Sequence, residues 1–192
     1  RPAVTPDGPL CFGDFRSACA WCLAASWLAT AEPDPVLSSL EAFCAAYGQW
    51  IDTQVEEADR LSRDHSGAAR RHIGNCRVVL ERMNAGVRRL RADPVMFRSF
   101  RLANQAMLMQ RQWGGADDLR WRPFQLGFVL LSLESTLDQA HSDRAVMDLL
   151  WFPTGGGKTE AYLALIALTA FHRRLTRQHP DEGAGVAALM RY

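Results

Sequence analysis

Two long stretches of this chain carry apolar residues at the spacing of an α-helix, and these stretches constrain its fold most. Residues 36–63 contain Leu40, Phe43, Tyr47 and Trp50, in steps of three, four and three. Residues 68–92 continue the pattern with Ile73, Cys76, Leu80, Met83, Val87 and Leu90. Such steps place one apolar stripe along each helix. Because a short turn at His65-Ser66-Gly67 separates the stretches, the sequence predicts an antiparallel helical hairpin.

Proline and glycine divide the rest of the chain into shorter segments. A Pro- and Gly-rich loop is expected over residues 1–14, and an apolar helix over residues 15–31. That helix should end before Pro33, because proline lacks the amide donor that a helix interior needs. Two further helices are predicted, over Val95–Arg111 and residues 123–137.

The composition is that of an ordinary globular protein, with 48% hydrophobic residues, 22% charged residues and a net charge of +1. The longest apolar stretch, Ala18–Ala31, is shorter than the roughly 20 residues needed to cross a bilayer. No secretory leader precedes it, so we expect a cytoplasmic protein without a membrane partner. The 192 residues allow one domain, or one domain and part of another. Because Arg1 is first rather than Met, we expect a processed chain or a piece of a longer one.

The feature that most directly indicates chemistry is Lys158, the one lysine among 22 basic residues. It lies in the segment Phe152-Pro153-Thr154-Gly155-Gly156-Gly157-Lys158-Thr159. This segment matches the G-x-x-x-x-G-K-[ST] phosphate loop except at Phe152. A compact ammonium fits between the β- and γ-phosphates of a nucleotide better than a planar guanidinium does. Consecutive glycines let the main chain turn its N–H groups toward phosphate oxygens.

The segment therefore predicts a site for ATP and Mg²⁺. Lys158 is expected to contact the β- and γ-phosphates, and the Thr159 hydroxyl to ligate Mg²⁺, which makes these two the candidate catalytic residues. The predicted cofactor-binding loop is completed by Thr154, Gly155, Gly156, Gly157 and Glu160. The alternative is a glycine-rich turn with a chance lysine.

The residues around this loop predict an α/β fold. Leu149–Phe152 is a bounded apolar run of strand length, a helix should follow Lys158, and Val186–Met190 reads as a second strand. Strand, glycine-rich loop, helix and strand make the βαβ unit of a parallel sheet. The predicted architecture is a mostly α-helical N-terminal region, with its helical hairpin, followed by a first βαβ unit.

Upstream, Arg122-Pro123-Phe124-Gln125 opens the predicted helix at 123–137. A glutamine amide offers one donor group and one acceptor together, which matches the edge of adenine. Superfamily 2 enzymes often carry a similar Arg-Pro-Phe-Gln segment shortly before the phosphate loop. By this similarity Gln125, with Arg122 and Phe124, is assigned to the nucleotide site. The alternative is a solvated glutamine at the start of a helix.

Three segments together resemble the large helicase-like ATPase subunit of the DISARM anti-phage defence system, a member of helicase superfamily 2. These segments are Trp121–Leu126, Asp148–Leu163 and Leu189–Tyr192. The hairpin region is similar as well, at His72, Cys76, Arg82-Met83 and residues 103–107. The resemblance covers about residues 45–192.

The resemblance implies a two-lobed RecA-like motor. Residues 1–118 would be its helical N-terminal region, and residues 119–192 the start of its first ATPase lobe, up to the first DNA-contact strand. The whole protein would hydrolyse ATP and bind DNA, with a second, DrmB-like DISARM subunit and a DNA methyltransferase as partners. Because no Asp-Glu pair ends a strand after Lys158, we expect the 192 residues alone neither to hydrolyse ATP nor to unwind DNA.

Two other functions stay open at this point. The first is a non-hydrolysing scaffold in which the phosphate loop binds nucleotide as a structural switch of a DNA-binding complex. The second, a nucleotide kinase, is weaker, because kinases usually have glycine at the position of Phe152.

Arginine and cysteine patterns allow two interpretations each. Between Arg60 and Arg111 there are twelve arginines and three acidic residues. Such a stretch either follows nucleic-acid phosphates or forms the solvated face of a helix pair. The Cys19–Cys22 spacing is that of a zinc half-site, which Cys11 or Cys44 would complete. Structural thiols are the simpler interpretation, because the pair lies in an Ala- and Trp-rich helical stretch.

Overall fold

A computed structural model of the chain describes residues 23–150 and 155–179, and these residues form a bundle of six α-helices. The helices are α1 (Ala25–Thr30), α2 (Pro33–Asp59), α3 (Arg63–Ala92), α4 (Pro94–Trp113), α5 (Pro123–Leu137) and α6 (Lys158–Thr176). A short 3₁₀ turn, Ser142–Ala145, lies between α5 and α6.

The predicted α/β fold is wrong. The described residues contain no strand, and their one β-type pairing is an isolated bridge between Ala24 and Arg120. The predicted βαβ unit of a RecA-like domain is replaced by a helical bundle. Leu149 and Leu150, the described half of the first predicted strand, have no strand neighbour, and Leu149 is 81% exposed. A short apolar run does not become a strand unless a second strand pairs with it. Residues 151–154 and the second predicted strand, 186–190, lie outside the described residues.

The predicted hairpin is present as α2 and α3, which pack against each other. Its turn lies at residues 60–62, however, and not at His65-Ser66-Gly67, which fall in the first turns of α3. Ser62 is the N-cap of α3, and its main-chain oxygen accepts from the amides of His65 and Ser66 at 3.1 Å, so these two residues are already helical. A helical glycine such as Gly67 costs only about 1 kcal/mol relative to alanine. The glycine was therefore a weaker turn signal than the sequence suggested.

The hairpin joins the rest of the bundle through a close contact between α3 and α5. Gly86 lies at this contact, and a Cβ atom built there would collide with the main-chain oxygen of Leu130. The absence of a side chain at Gly86 thus sets how near the two helices approach. The C-terminal half of α3 supplies Met83, Val87 and Leu90 to the core, each at most 3% exposed.

Helix α4 packs chiefly against α6 and α1, and it also contacts α3. One continuous core includes apolar residues from Leu23 to Leu168 and crosses the predicted boundary at residues 118 and 119. The division at that boundary stays a prediction. The α6 residues that are fully buried are Ala161, Ala164 and Leu168.

The start of α5 is fixed by contacts to α1 and α4. The amide of Trp121 donates to the Leu23 oxygen at 2.7 Å, and the Ala25 amide donates to the Leu119 oxygen at 2.8 Å. The indole Nε1 of Trp121 donates to Asn104 Oδ1 of α4 at 2.8 Å. Since both Trp121 and Asn104 are only 4% exposed, this buried polar contact fixes the residues that precede α5.

Candidate functional site

The glycine turn, Gly155–Gly157, leads directly into the N-terminus of α6. Gly155 has φ of 81° and Gly157 has φ of 87°, both in the left-handed region that side-chain-bearing residues rarely adopt. Gly157 is the N-cap of α6, with ψ of 27°, and it has no side chain to accept the first amides of the helix. These amides and the helix dipole make the end of α6 electropositive.

Three of the predicted site residues are the first three residues of α6. Lys158 is half-buried, Thr159 is exposed, and Glu160 is half-buried. The Glu160 oxygen Oε2 is inaccessible and accepts no hydrogen bond from the described residues. It lies 3.3 Å from the position that a Cβ atom on Gly157 would take. Thr154, the other predicted loop residue, lies outside the described part of the chain.

Two of the three residues predicted upstream are brought to the glycine turn by α5. The Gln125 Nε2 group donates to the Gly157 oxygen at 2.6 Å, and Arg122 Nη1 donates to the Gly156 oxygen at 3.1 Å. Gln125 Oε1 in turn accepts from the Arg122 main-chain amide at 2.8 Å. These contacts join residues more than 30 positions apart in the sequence into one site.

Phe124, by contrast, lines a cavity of about 250 Å³ whose walls do not include the glycine turn. The other walls of that cavity come from α2, α3, α5 and the residues before the glycine turn, among them Phe43, Tyr47, Met83, Phe128 and Leu149. The structure thus groups Arg122 and Gln125 with the loop and directs Phe124 toward the hairpin. Whether Gln125, Arg122 and Phe124 contact a nucleotide stays a prediction.

Arg82 of α3, which is not among the predicted site residues, anchors the residues that precede the glycine turn. Its Nη1 and Nη2 groups donate to the two carboxylate oxygens of Asp148 at 2.6 and 2.8 Å, and its Nε lies 3.1 Å from Asp143 Oδ2. The hydrogen bonds that Arg82 donates to Asp148 raise the pKa of Arg82 above its ordinary value, against the opposing effect of burial. Arg82 and Asp148 both belong to segments that resemble the DISARM subunit, but their separation of 66 residues gives no sequence signal of pairing.

Several arginines of the Arg60–Arg111 stretch pair with carboxylates of the bundle itself. The pairs are Arg70–Asp59, Arg88–Glu81, Arg89–Asp93 and Arg91 with Asp34 and Glu41. Most of these side chains are largely exposed, so the pairs contribute little to stability. For these four arginines the solvated-face interpretation accounts for the charge.

The described residues contain no group of three or more His, Cys, Asp or Glu side chains arranged to hold a metal ion. Cys44 is buried and Cys76 is half-buried, and neither forms a disulfide with another described residue. The other candidate zinc ligands, Cys11, Cys19 and Cys22, lie outside the described residues. Within those residues, too, every helix is either too short or too polar to cross a bilayer.

Fold and site together define a helical bundle that carries a left-handed glycine turn at the lysine-bearing N-terminus of a helix. No family model matches the chain. The chain is a relative of the DISARM protein DrmA from Bacillus paralicheniformis, with 36% identity over 166 aligned residues. The alignment covers 76% of this chain, and the chain spans 14% of the length of that relative. This similarity confirms the resemblance to a DISARM subunit that the sequence motifs predicted.

Proposed function

We propose that this chain is part of a DISARM protein acting in defence against phage, and that its glycine turn binds the phosphates of MgATP. The observation that carries the proposal is the position of Lys158. The one lysine of the chain is the first residue of α6 and directly follows a turn in which Gly155 and Gly157 have positive φ.

The chemistry of this end of α6 suits a polyphosphate. Main-chain amides of the first helical turn, together with the helix dipole, attract an anion. The Lys158 ammonium adds a full positive charge on a flexible stem, which suits the β- and γ-phosphates. Gly157, the N-cap, has no side chain that could take up the amides of the first turn.

The metal in this proposal is Mg²⁺ bound with the nucleotide. Mg²⁺ takes oxygen ligands and usually keeps several waters, with few protein ligands and the rest from phosphates. One exposed hydroxyl, that of Thr159, fits this need at the second position of α6. Bound there, Mg²⁺ would neutralise phosphate charge.

The activity of the longer protein belongs to the same proposal. The name of the relative supports membership of a DISARM system, and the chain spans 14% of that relative. On this basis we infer that the whole protein is a helicase-like ATPase that hydrolyses ATP and acts on DNA. Its partners would be a second DISARM subunit and a DNA methyltransferase. If the whole protein binds ATP without turning it over, the nucleotide-switch alternative takes its place.

The test is MgATP binding by the whole protein, measured by titration calorimetry for wild type and Lys158→Ala. We expect the substitution to weaken binding about 100-fold or more, because it removes a charge-assisted contact to the phosphates. Undiminished affinity in Lys158→Ala would rule out the assigned role.

The matched control is Arg174→Ala. It removes one positive charge from the same helix, but from an exposed residue in the last turn, at the opposite end. We expect MgATP affinity to stay within about twofold of wild type, since water and salt screen so distant a charge. Equal losses in the two variants would mean that Lys158 acts only through net charge.

A further inference from the structure

Gln125 is a buried amide whose polar atoms both contact the main chain. It is 4% exposed. Its Oε1 accepts from the Arg122 amide and its Nε2 donates to the Gly157 oxygen, at 2.8 and 2.6 Å. A side chain that reads a base must present its donor and acceptor to that base. In this structure the amide presents them to the start of α5 and to the glycine turn.

The contacts to the turn set the direction of its amides. In a trans peptide unit the C=O and the following N–H point to opposite sides, and the described peptide bonds include no cis bond. The Gly156 oxygen faces Arg122 and the Gly157 oxygen faces Gln125. The N–H groups of Gly157 and Lys158 therefore point away from Arg122 and Gln125. These are the amides that the proposed function assigns to phosphate oxygens.

The fit between Gln125 and the turn leaves no spare space. A Cβ atom on Gly157 would lie 2.7 Å from Gln125 Nε2 and 3.3 Å from Glu160 Oε2. The left-handed conformation of Gly157 and the position of the Gln125 amide are thus tied to each other. A change in either one alters the direction of the Lys158 amide.

We propose that Gln125 and Arg122 are positioning residues, which hold the carbonyls of Gly156 and Gly157 so that the next amides point toward a polyphosphate. The inference rests on the proposed function and adds which part of the ligand the site recognises. Through these two residues the site selects the triphosphate and not the base. Adenine reading by Gln125, predicted from the sequence, is the competing role and is an outcome of the test below.

The test compares three ligands on the whole protein in the presence of Mg²⁺: ATP, GTP and inorganic tripolyphosphate, which has no base. We expect Gln125→Met, which keeps the volume but removes the amide, to weaken all three by a similar factor, about tenfold or more. Loss of ATP affinity alone, with GTP and tripolyphosphate unchanged, would overturn the proposal in favour of adenine reading. Unchanged affinity for all three would also overturn it.

A second measurement needs no ligand. Hydrogen–deuterium exchange of residues 155–160 in the nucleotide-free protein reports the order of the turn directly. We expect faster exchange there in Gln125→Met, with no change in the last turn of α5, and unchanged exchange overturns the proposal. If Gln125→Met fails to fold, Gln125→Glu serves instead, because it keeps the acceptor for the Arg122 amide but removes the donor to Gly157. If wild type binds none of the three ligands while exchange responds as expected, the proposed function fails and the positioning role stands.

Discussion

The N-termini of α4 and α6 are built in opposite ways. At α4 the Asp93 carboxylate accepts the amides of Val95 and Met96 at 2.9 and 3.0 Å, so the helix closes its own end. At α6 the N-cap is Gly157, which has no side chain, and the contacts from Arg122 and Gln125 go to the carbonyls of the preceding turn. An aspartate in the place of Gly157 would take up the amides and repel an anion.

The difference separates an N-terminus that is capped by the protein from one to which the proposed function assigns a ligand. At α4 the helix dipole is already met by a carboxylate of the protein. At α6 the N-cap glycine has no side chain to offer the first amides, and Arg122 and Gln125 donate to carbonyls of the turn. Breaking each arrangement should therefore change different properties, stability at α4 and ligand affinity at α6.

Among the changes that compare the two N-termini, the largest effect is expected from Gly157→Ala, at the glycine turn. The substituted residue is strained by the positive φ, at a cost of roughly 1–2 kcal/mol, and its Cβ meets Gln125 Nε2 at 2.7 Å. We expect a loss of MgATP affinity of about tenfold or more, measured by titration calorimetry. The control is Gly155→Ala, which has a similar φ but a Cβ with no described atom within 4 Å. A larger loss of affinity in Gly155→Ala would contradict the assigned role of the Gln125 contact.

The next effect concerns the chain segment that precedes each of the two helices. One residue, Asp93, separates α3 from α4, whereas the long connection before α6 is anchored by Arg82. Arg82→Met leaves Asp143 and Asp148 without this partner, and we expect a loss of unfolding free energy of about 1–2 kcal/mol in urea denaturation. Arg88→Met, on the same helix, breaks an exposed pair with Glu81 and should cost about 0.5 kcal/mol or less. Equal losses would mean that the Arg82 pair contributes no more than a surface contact.

Removing the cap of α4 should lower stability by a smaller amount and leave the ligand unaffected. For Asp93→Ala we expect a loss of about 1 kcal/mol, the usual cost of losing an N-cap acceptor. Asp93→Asn is the control, because its amide oxygen still accepts the two amides. Thermal unfolding measures the stability of both, and calorimetry with MgATP should give the wild-type affinity in each. Weakened MgATP binding in Asp93→Ala would remove the distinction between the two N-termini.

The smallest effect is a pH dependence that links α6 to the cap of α4. Burial lowers the pKa of His172 below its ordinary value of 6.5, the Asp93 carboxylate opposes this shift, and Arg89 adds to it. Because the unfolded chain then binds more protons than the folded one, stability is fully present above pH 6.5 and falls as the pH drops through the lowered pKa. His172→Gln should reduce the difference in unfolding free energy between about pH 7.5 and about pH 5.5. An unchanged difference would show that other groups carry the pH dependence.

The helices with long or sharply bounded patterns were predictable from the sequence. The helix predicted over residues 123–137 is α5, and the predicted hairpin is α2 and α3. A repeated spacing of three and four residues places the apolar side chains on one face of a helix, so the pattern predicts the helix from the local sequence. The helix after Lys158 was likewise predicted, because a glycine-rich turn before an apolar period marks a helix start.

The burial within α6 could not be read in the same way. Within this helix Leu163, Ile166 and Phe171 are half-buried, and the buried residues are Ala161, Ala164 and Leu168. The small side chains of Ala161 and Ala164 let α6 lie close to its neighbours, and Leu168 is buried beside them. The predicted strand at Leu149 failed for a related reason. A strand needs a second strand to pair with, and a single segment does not show whether one is present.

The sequence by itself determined the helical periods, the glycines that permit left-handed conformations and the lysine that follows them. All of these follow from the chemistry of single residues and their near neighbours in the chain. Tertiary structure alone decided that Gln125 donates to the Gly157 carbonyl and that Arg82 donates to Asp148. Each of those contacts spans tens of residues, and its geometry exists only after α3, α5 and α6 have packed.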